Sequence, residues 1–167
     1  MPGHNPNIGI RENMRNSMRI VHSGIRDVSA GNNVTVVEPV NLYECELQDD
    51  VFIGPFVEIQ RHCRIGKGSR VQSHSFLCEG VTLGENCFIG HGVTFANDLF
   101  KDGAPEPDPA RWITIILGDR VTVGSGATIL TDTICPGAVI GAGSVVVNPI
   151  TRKGIYAGNP ARLIRVL

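Results

Sequence analysis

Nine apolar residues stand six apart without a miss: Leu47, Ile53, Ile59, Ile65, Val71, Leu77, Leu83, Ile89 and Phe95. A helix repeats about every 3.6 residues and a half-buried strand every two, so neither produces this period. Glycine follows at Gly54, Gly66, Gly84 and Gly90. Four positions after each inward residue the side chain is small or β-branched, as at Val57, Cys63, Ser69, Ser75, Val81, Cys87 and Val93. The phrase predicts short strands joined by tight corners, three phrases to a coil of 18 residues, stacked into a triangular prism. Inward residues form the core, small residues turn the corners, and glycine eases each turn through its tolerance of positive φ.

A second run holds Leu117-Gly118, Val123-Gly124, Ile129, Ile140-Gly141 and Val146. From Ile129 to Ile140 is eleven residues rather than twelve, and the "CPGA" in that gap reads as a turn shortened by one residue. Residues 1–30 fit no phrase and are expected to form an irregular cap. The prism then covers 31–150, with an external loop at 98–112 and a C-terminal tail at 151–167 that closes the far end. Three prolines and four acids make the loop unlike either run. A loop of that length without its own structure is usually functional or disordered.

The balance of charge narrows the partners. A net charge of −1 with 19% charged residues argues against nucleic acid or a membrane surface found by bulk electrostatics. Five cysteines without a CxxC pair suit a reducing compartment. The first residues, "MPGHNPNIGIRENMRNSMR", hold no apolar stretch of the kind a secretory leader needs. A cytoplasmic protein is expected. Cys45, Cys63 and Cys87 fall at the small corner position and read as buried packing groups. No histidine pair has compact ligand spacing, so no metal is expected.

The 18-residue coil also places polar residues. Glu79 and Asn97 are 18 apart, each two positions after an inward residue, so they are expected as neighbours in adjacent coils, about 4.8 Å apart. The rhythm breaks immediately after Asn97. His91, in "IGHG", is a candidate general base, since histidine ionises near neutral pH. His74 lies near a corner and is a weaker candidate for contact with substrate, Glu79 or a neighbouring chain. Arg152, Lys153, Arg162 and Arg165 cluster in the tail, where cations can meet phosphates.

The six-residue phrase resembles the hexapeptide repeat of left-handed parallel β-helices over about residues 34–150, and "GIYAGNPARLIR" resembles the closing motif of the hexapeptide acyltransferases. The resemblance implies an all-β, left-handed parallel β-helix and an acyl-coenzyme A donor lying in a groove near the C-terminal coils. By position, Gly126, Gly143 and Pro160 would line that groove, with Arg152, Lys153 and Arg162 meeting its phosphates. "NLYECELQDDVFIGPFVEIQ", "VQSHSFLCEGVTLGENCFIGHGVTFANDLF" and "AGNPARLIR" are most similar to the nucleotide-sugar N-acetyltransferases of bacterial surface-polysaccharide and O-antigen synthesis. That likeness implies acetyl-CoA as co-substrate and Glu79 and Asn97 beside the amine of a nucleotide-linked amino sugar. It also implies a homotrimer with sites between adjacent prisms. One difference is "DLFKDGAPEP" after Asn97, where that branch commonly carries an aromatic residue and then Pro-Arg. An O-acetyltransferase using His91 as base, or a non-catalytic subunit of the same fold, are the alternatives.

Overall fold

The computed structural model describes residues 21–167, which wind into a three-sided parallel β-helix. Most strands are two residues long: an outward residue followed by an inward one, as in Phe52–Ile53, Arg64–Ile65 and Thr82–Leu83. Face I stacks seven strands, Ile25–Arg26, Asn41–Tyr43, Glu58–Ile59, Phe76–Leu77, Thr94–Phe95, Thr128–Ile129 and Val145–Val146. Face II runs from Ser29–Ala30 to Thr133–Ile134, and face III from Thr35–Val36 through Val139–Ile140 into the tail. Pairing from coil to coil is parallel, with offsets of 17 or 18 residues, such as Leu42↔Ile59 and Ile59↔Leu77, except across the long loop, as in Thr82↔Ile116, and into the tail, as in Val139↔Ile155.

The predicted inward series is the core. Leu47, Ile53, Ile59, Ile65, Val71, Leu77, Leu83, Ile89 and Phe95 are all buried, as are the corner residues Val51, Val57, Cys63, Val81, Cys87 and Val93. Burial raises the thiols of Cys63 and Cys78 to about 12 and that of Cys45 to about 11. These groups stay protonated and pack as small apolar side chains.

Three expectations change. The coils begin earlier than the predicted cap allows, because Ile25–Arg26 and Ser29–Ala30 already pair with Asn41–Tyr43 and Glu46–Leu47. Backbone hydrogen bonds join that coil to the next (Leu42 N to Gly24 O, 2.9 Å; Ser29 N to Cys45 O, 3.0 Å), and its inward positions, Ile25 and Ala30, fall out of step with the six-residue phrase. Residues 1–20 of the expected cap lie outside the described residues.

The shortened turn is also elsewhere. Ile134 to Ile140 is a full six-residue phrase containing "CPGA", and the missing residue lies between Ile129 and Ile134, both buried. In that short corner Thr131 takes the buried position, and its Oγ1 has no hydrogen-bond partner. Thr131→Val, which keeps the shape and removes the unsatisfied hydroxyl, is expected to stabilise the fold by about 1 kcal/mol, measured by urea unfolding.

The glycine that follows each inward residue has a different role from the one expected. Positive φ falls two residues later, at Phe56, Gly68, Asn86 and Gly92. Gly54, Gly66, Gly84 and Gly90 are instead required by the next coil. A Cβ on Gly66 would lie 2.3 Å from the Gly84 carbonyl oxygen, and one on Gly90 2.6 Å from the Ser125 nitrogen.

Candidate active site

Glu79 and Asn97 follow the inward residues Leu77 and Phe95 on face I, so both stand at the I–II edge, one coil apart. The Asn97 amide nitrogen donates to the Glu79 backbone carbonyl at 3.1 Å, which leaves Oδ1 of Asn97 as the group's acceptor. The Glu79 carboxylate is engaged from the coil on the other side. Arg61 Nε donates to Oε2 at 2.8 Å, and His62 Nδ1 lies 3.0 Å from Oε1. Burial would raise the Glu79 carboxyl, but the hydrogen bonds and charges of Arg61 and His62 outweigh it and hold the group below its ordinary value. In the tautomer that donates from Nδ1 to Glu79, the neutral His62 ring has Nε2 as its remaining acceptor.

That electrostatic arrangement fixes a pH dependence. A carboxyl held low in the folded chain contributes stability that is complete above its ordinary unfolded value and is lost as pH falls through its folded value. The stability gap between wild type and Glu79→Gln is therefore expected to be constant near neutral pH and to close on acidification through the carboxylate range, followed by urea midpoints.

The long loop leaves the prism above this group and is ordered by its own contacts. Ile113 N donates to Asn97 O at 3.0 Å, closing its base. Arg111 pairs with Glu106 at 2.7 Å and Asp102 at 3.1 Å, Trp112 Nε1 donates to Glu106 O, and Asp98 accepts from the amides of Phe100 and Glu106. Pro109, Trp112, Ile113 and Thr114 thereby wall a cavity of about 220 Å³ whose other lining is His62, Glu79, Gly80 and Asn97. The sequence reading missed Arg61 and His62. The signal was present, since Arg61 is 18 residues before Glu79 and lies in the same column.

His74, His91, Gly126 and Gly143 lie across face I, at the III–I edge. His91 Nδ1 is 2.8 Å from Ser73 Oγ, and its carbonyl accepts from Gly126 N at 2.8 Å. Gly126 and Gly143 share that edge, and a Cβ on either would meet nothing within 4 Å. His74 stacks on Phe56 there, separated from Glu79 by the strand Phe76–Leu77.

In the tail, Gly154–Ala157 joins face III beside Val139–Ile140, and Arg162–Val166 returns antiparallel to it. The intervening turn, with Pro160, docks at the III–I edge, where Gly158 O accepts from Val145 N and Ala161 N donates to Val145 O. Arg162 follows that turn. Arg152 and Lys153 precede Gly154 at the opposite edge, with the Lys153 stem lying over Gly137. The structure thus divides the predicted phosphate contacts between two edges. Among the described residues, no group of three or more His, Cys, Asp or Glu could hold a metal ion, and no helix is long and apolar enough to cross a membrane.

Three sides, parallel coils and a cavity at one edge define a hexapeptide-repeat solenoid, and comparison with solved structures agrees on that fold. The chain is similar to a maltose O-acetyltransferase from Clostridium difficile 630, at 20% identity and TM-score 0.58, covering 83% of this chain and 69% of that one. It is similar to a Neisseria gonorrhoeae serine acetyltransferase at 30% identity and TM-score 0.55, over 66% of this chain and 41% of the other. An N-acyltransferase from Bacillus cereus, solved with dTDP and coenzyme A, matches at 20% identity and TM-score 0.50 over 83% of both chains. No protein-family model and no curated protein matches the sequence.

Proposed function

We propose that the protein is an acetyl-CoA-dependent N-acetyltransferase whose acceptor is the amino group of a nucleotide-linked amino sugar used in bacterial surface-polysaccharide synthesis. The observation that carries this reading is the Arg61–Glu79–His62 array beside Asn97 in a cavity that the 98–112 loop completes. The neighbours that act as acetyltransferases, and the one holding both dTDP and coenzyme A, support the donor and the nucleotide.

In this reading Asn97 Oδ1 accepts a hydrogen bond from the acceptor amine and aims its lone pair at the thioester carbonyl. A C–N bond forms as the C–S bond breaks. The proton lost by nitrogen passes to His62 Nε2, whose positive charge Glu79 stabilises, and then to the departing thiolate. Arg61 keeps Glu79 ionised so that it cannot compete for that proton. Alignment and the base share the work, the first worth up to about 7–11 kcal/mol in ideal models and the second about 100- to 10,000-fold.

The bare Gly126 and Gly143 edge, with Pro160 and Arg162 at its upper end, suits an extended pantetheine arm. Because that edge and Glu79 lie on opposite sides of face I, a complete site draws them from two prisms, and the functional unit in this reading is a homotrimer. All five cysteines are free, in keeping with a cytoplasmic location.

The test is thiol release from acetyl-CoA with a panel of UDP- and dTDP-linked amino sugars and their hydroxy counterparts. Release with the amino forms alone is expected. Release only with the hydroxy forms would favour the second reading, an O-acetyltransferase based on His91, for which the Ser73–His91 contact speaks. The absence of any thermal shift with coenzyme A would mean a non-catalytic subunit.

A further inference from the structure

The column of corner residues along the III–I edge changes character halfway up. The register pairs Val36 with Ile53 and Leu42 with Ile59, then Ile53 with Val71 and Ile59 with Leu77, so Pro39, Phe56, His74 and Gly92 occupy one column. Gly126 and Gly143 continue it. From Phe56 upward each of these residues has positive φ: 60°, 63°, 63°, 69° and 67°. Glycine enters that region freely, whereas a bulky side chain does so against its own sterics. The two lower positions nevertheless carry aromatic rings. Other corners share the conformation, among them Glu44, Asp50, Asn86 and Arg120, so what sets Phe56 and His74 apart is the rings they carry.

The two rings are stacked, with centroids 4.7 Å apart and planes 13° from parallel, and Phe56 is 55% exposed. One face of Phe56 is covered by His74. Below it the column reaches Pro39, and among the described residues no second aromatic ring stacks on Phe56. A cavity of about 240 Å³ opens there, lined by Ser23, Pro39, Val40, Asn41, Phe56, Val57 and Glu58. Its apolar lining, Pro39, Val40, Phe56 and Val57, suits the faces of a flat ring. Ser23, Asn41 and Glu58 offer donors and acceptors to its edge.

We infer that the Phe56–His74 stack and the cavity beneath it form a binding site for the heteroaromatic base of a nucleotide, which enters as the next ring of the stack. A coil spacing of about 4.8 Å leaves room for one ring per step, and stacking on an exposed aromatic is tolerant of which base is bound. The inference rests on the proposed acetyltransferase reading only for the ligand's source: the acceptor's nucleoside is expected, and the adenine of coenzyme A is the other source.

The experiment is calorimetric titration of the full chain with UDP, dTDP, ADP and base-free methyl diphosphate, using wild type, Phe56→Gly and Phe56→Tyr. Glycine suits the backbone at this position better than phenylalanine does, so the first variant removes the ring without straining the corner. UDP or dTDP affinity is expected to fall roughly 5- to 150-fold in Phe56→Gly and to persist in Phe56→Tyr. Methyl diphosphate affinity is expected to stay unchanged. Loss confined to ADP would still support a base site and assign it to the donor. Equal nucleotide affinity in wild type and Phe56→Gly would overturn the inference. So would a change in sedimentation of Phe56→Gly, because the ring would then seat a neighbouring chain. Thiol release with an amino-sugar phosphate lacking a base, measured on the same preparations, tests the acetyltransferase reading separately.

Discussion

His62→Ala is expected to lower kcat by about 100- to 10,000-fold, with a much smaller change in KM for either substrate. The reason is positional. In the proposed mechanism His62 reaches the reaction only through the proton it accepts, and Glu79, 3.0 Å from its Nδ1, stabilises the charge that results. Glu79→Gln should lose part of the same factor, because the neutral amide neither favours the Nδ1–H tautomer nor offsets an imidazolium. Asn97→Ala should raise KM for the acceptor, since in the proposed mechanism its Oδ1 grips the ground-state amine as well as the reacting one. A pH–rate profile separates a base from a scaffold: loss of the base should remove the acid limb in His62→Ala. Retention of rate in His62→Ala together with collapse in His91→Ala would move the chemistry to the III–I edge.

Gly66→Ala is expected to destabilise the fold by about 3 kcal/mol or more. The added methyl would stand 2.3 Å from the Gly84 carbonyl oxygen and 2.4 Å from its carbon, both backbone atoms held in the ladder between coils. Neither can yield without separating Arg64–Ile65 from Thr82–Leu83, which pair directly. Gly126→Ala is the control. Its φ of 69° makes a side chain unfavourable by about 1–2 kcal/mol, yet no atom obstructs the methyl. Urea unfolding should rank Gly66→Ala well below Gly126→Ala. Equal losses would mean that conformation, and not contact between coils, sets the glycine pattern.

The prism was legible because a six-residue period with a buried residue in every phrase admits very few backbones. From Leu47 to Phe95 each inward position was readable from the letters alone. The first coil was not, since its inward positions, Ile25 and Ala30, fall out of step with the six-residue phrase and the second is small. The short corner at Leu130–Asp132 was misplaced because Ile134, the inward residue that resolves it, is followed after Cys135 by a Pro-Gly pair that looks like a turn.

At the site, the 18-residue rule put Glu79 beside Asn97. The contact the amide makes, however, is with the Glu79 carbonyl, and the carboxylate turns toward Arg61 and His62. Spacing reports which residues share a column, while the side-chain partner depends on rotamers and charge. One further step down the same column would have found Arg61. The order within the loop was beyond the period altogether, because Arg111, Glu106 and Trp112 lock it through contacts that follow no repeat.

The loop leaves after Asn97 and the coil resumes at Ile115 without disturbing the pairing on either side: Phe95 still meets Ile129, and Thr82 still meets Ile116. The scaffold is therefore indifferent to how much chain is spliced in at that corner. A relative built this way can exchange the whole excursion and keep the ladder on either side, so, where the loop walls the acceptor site as proposed, a change of specificity need not wait on compensating changes in the core.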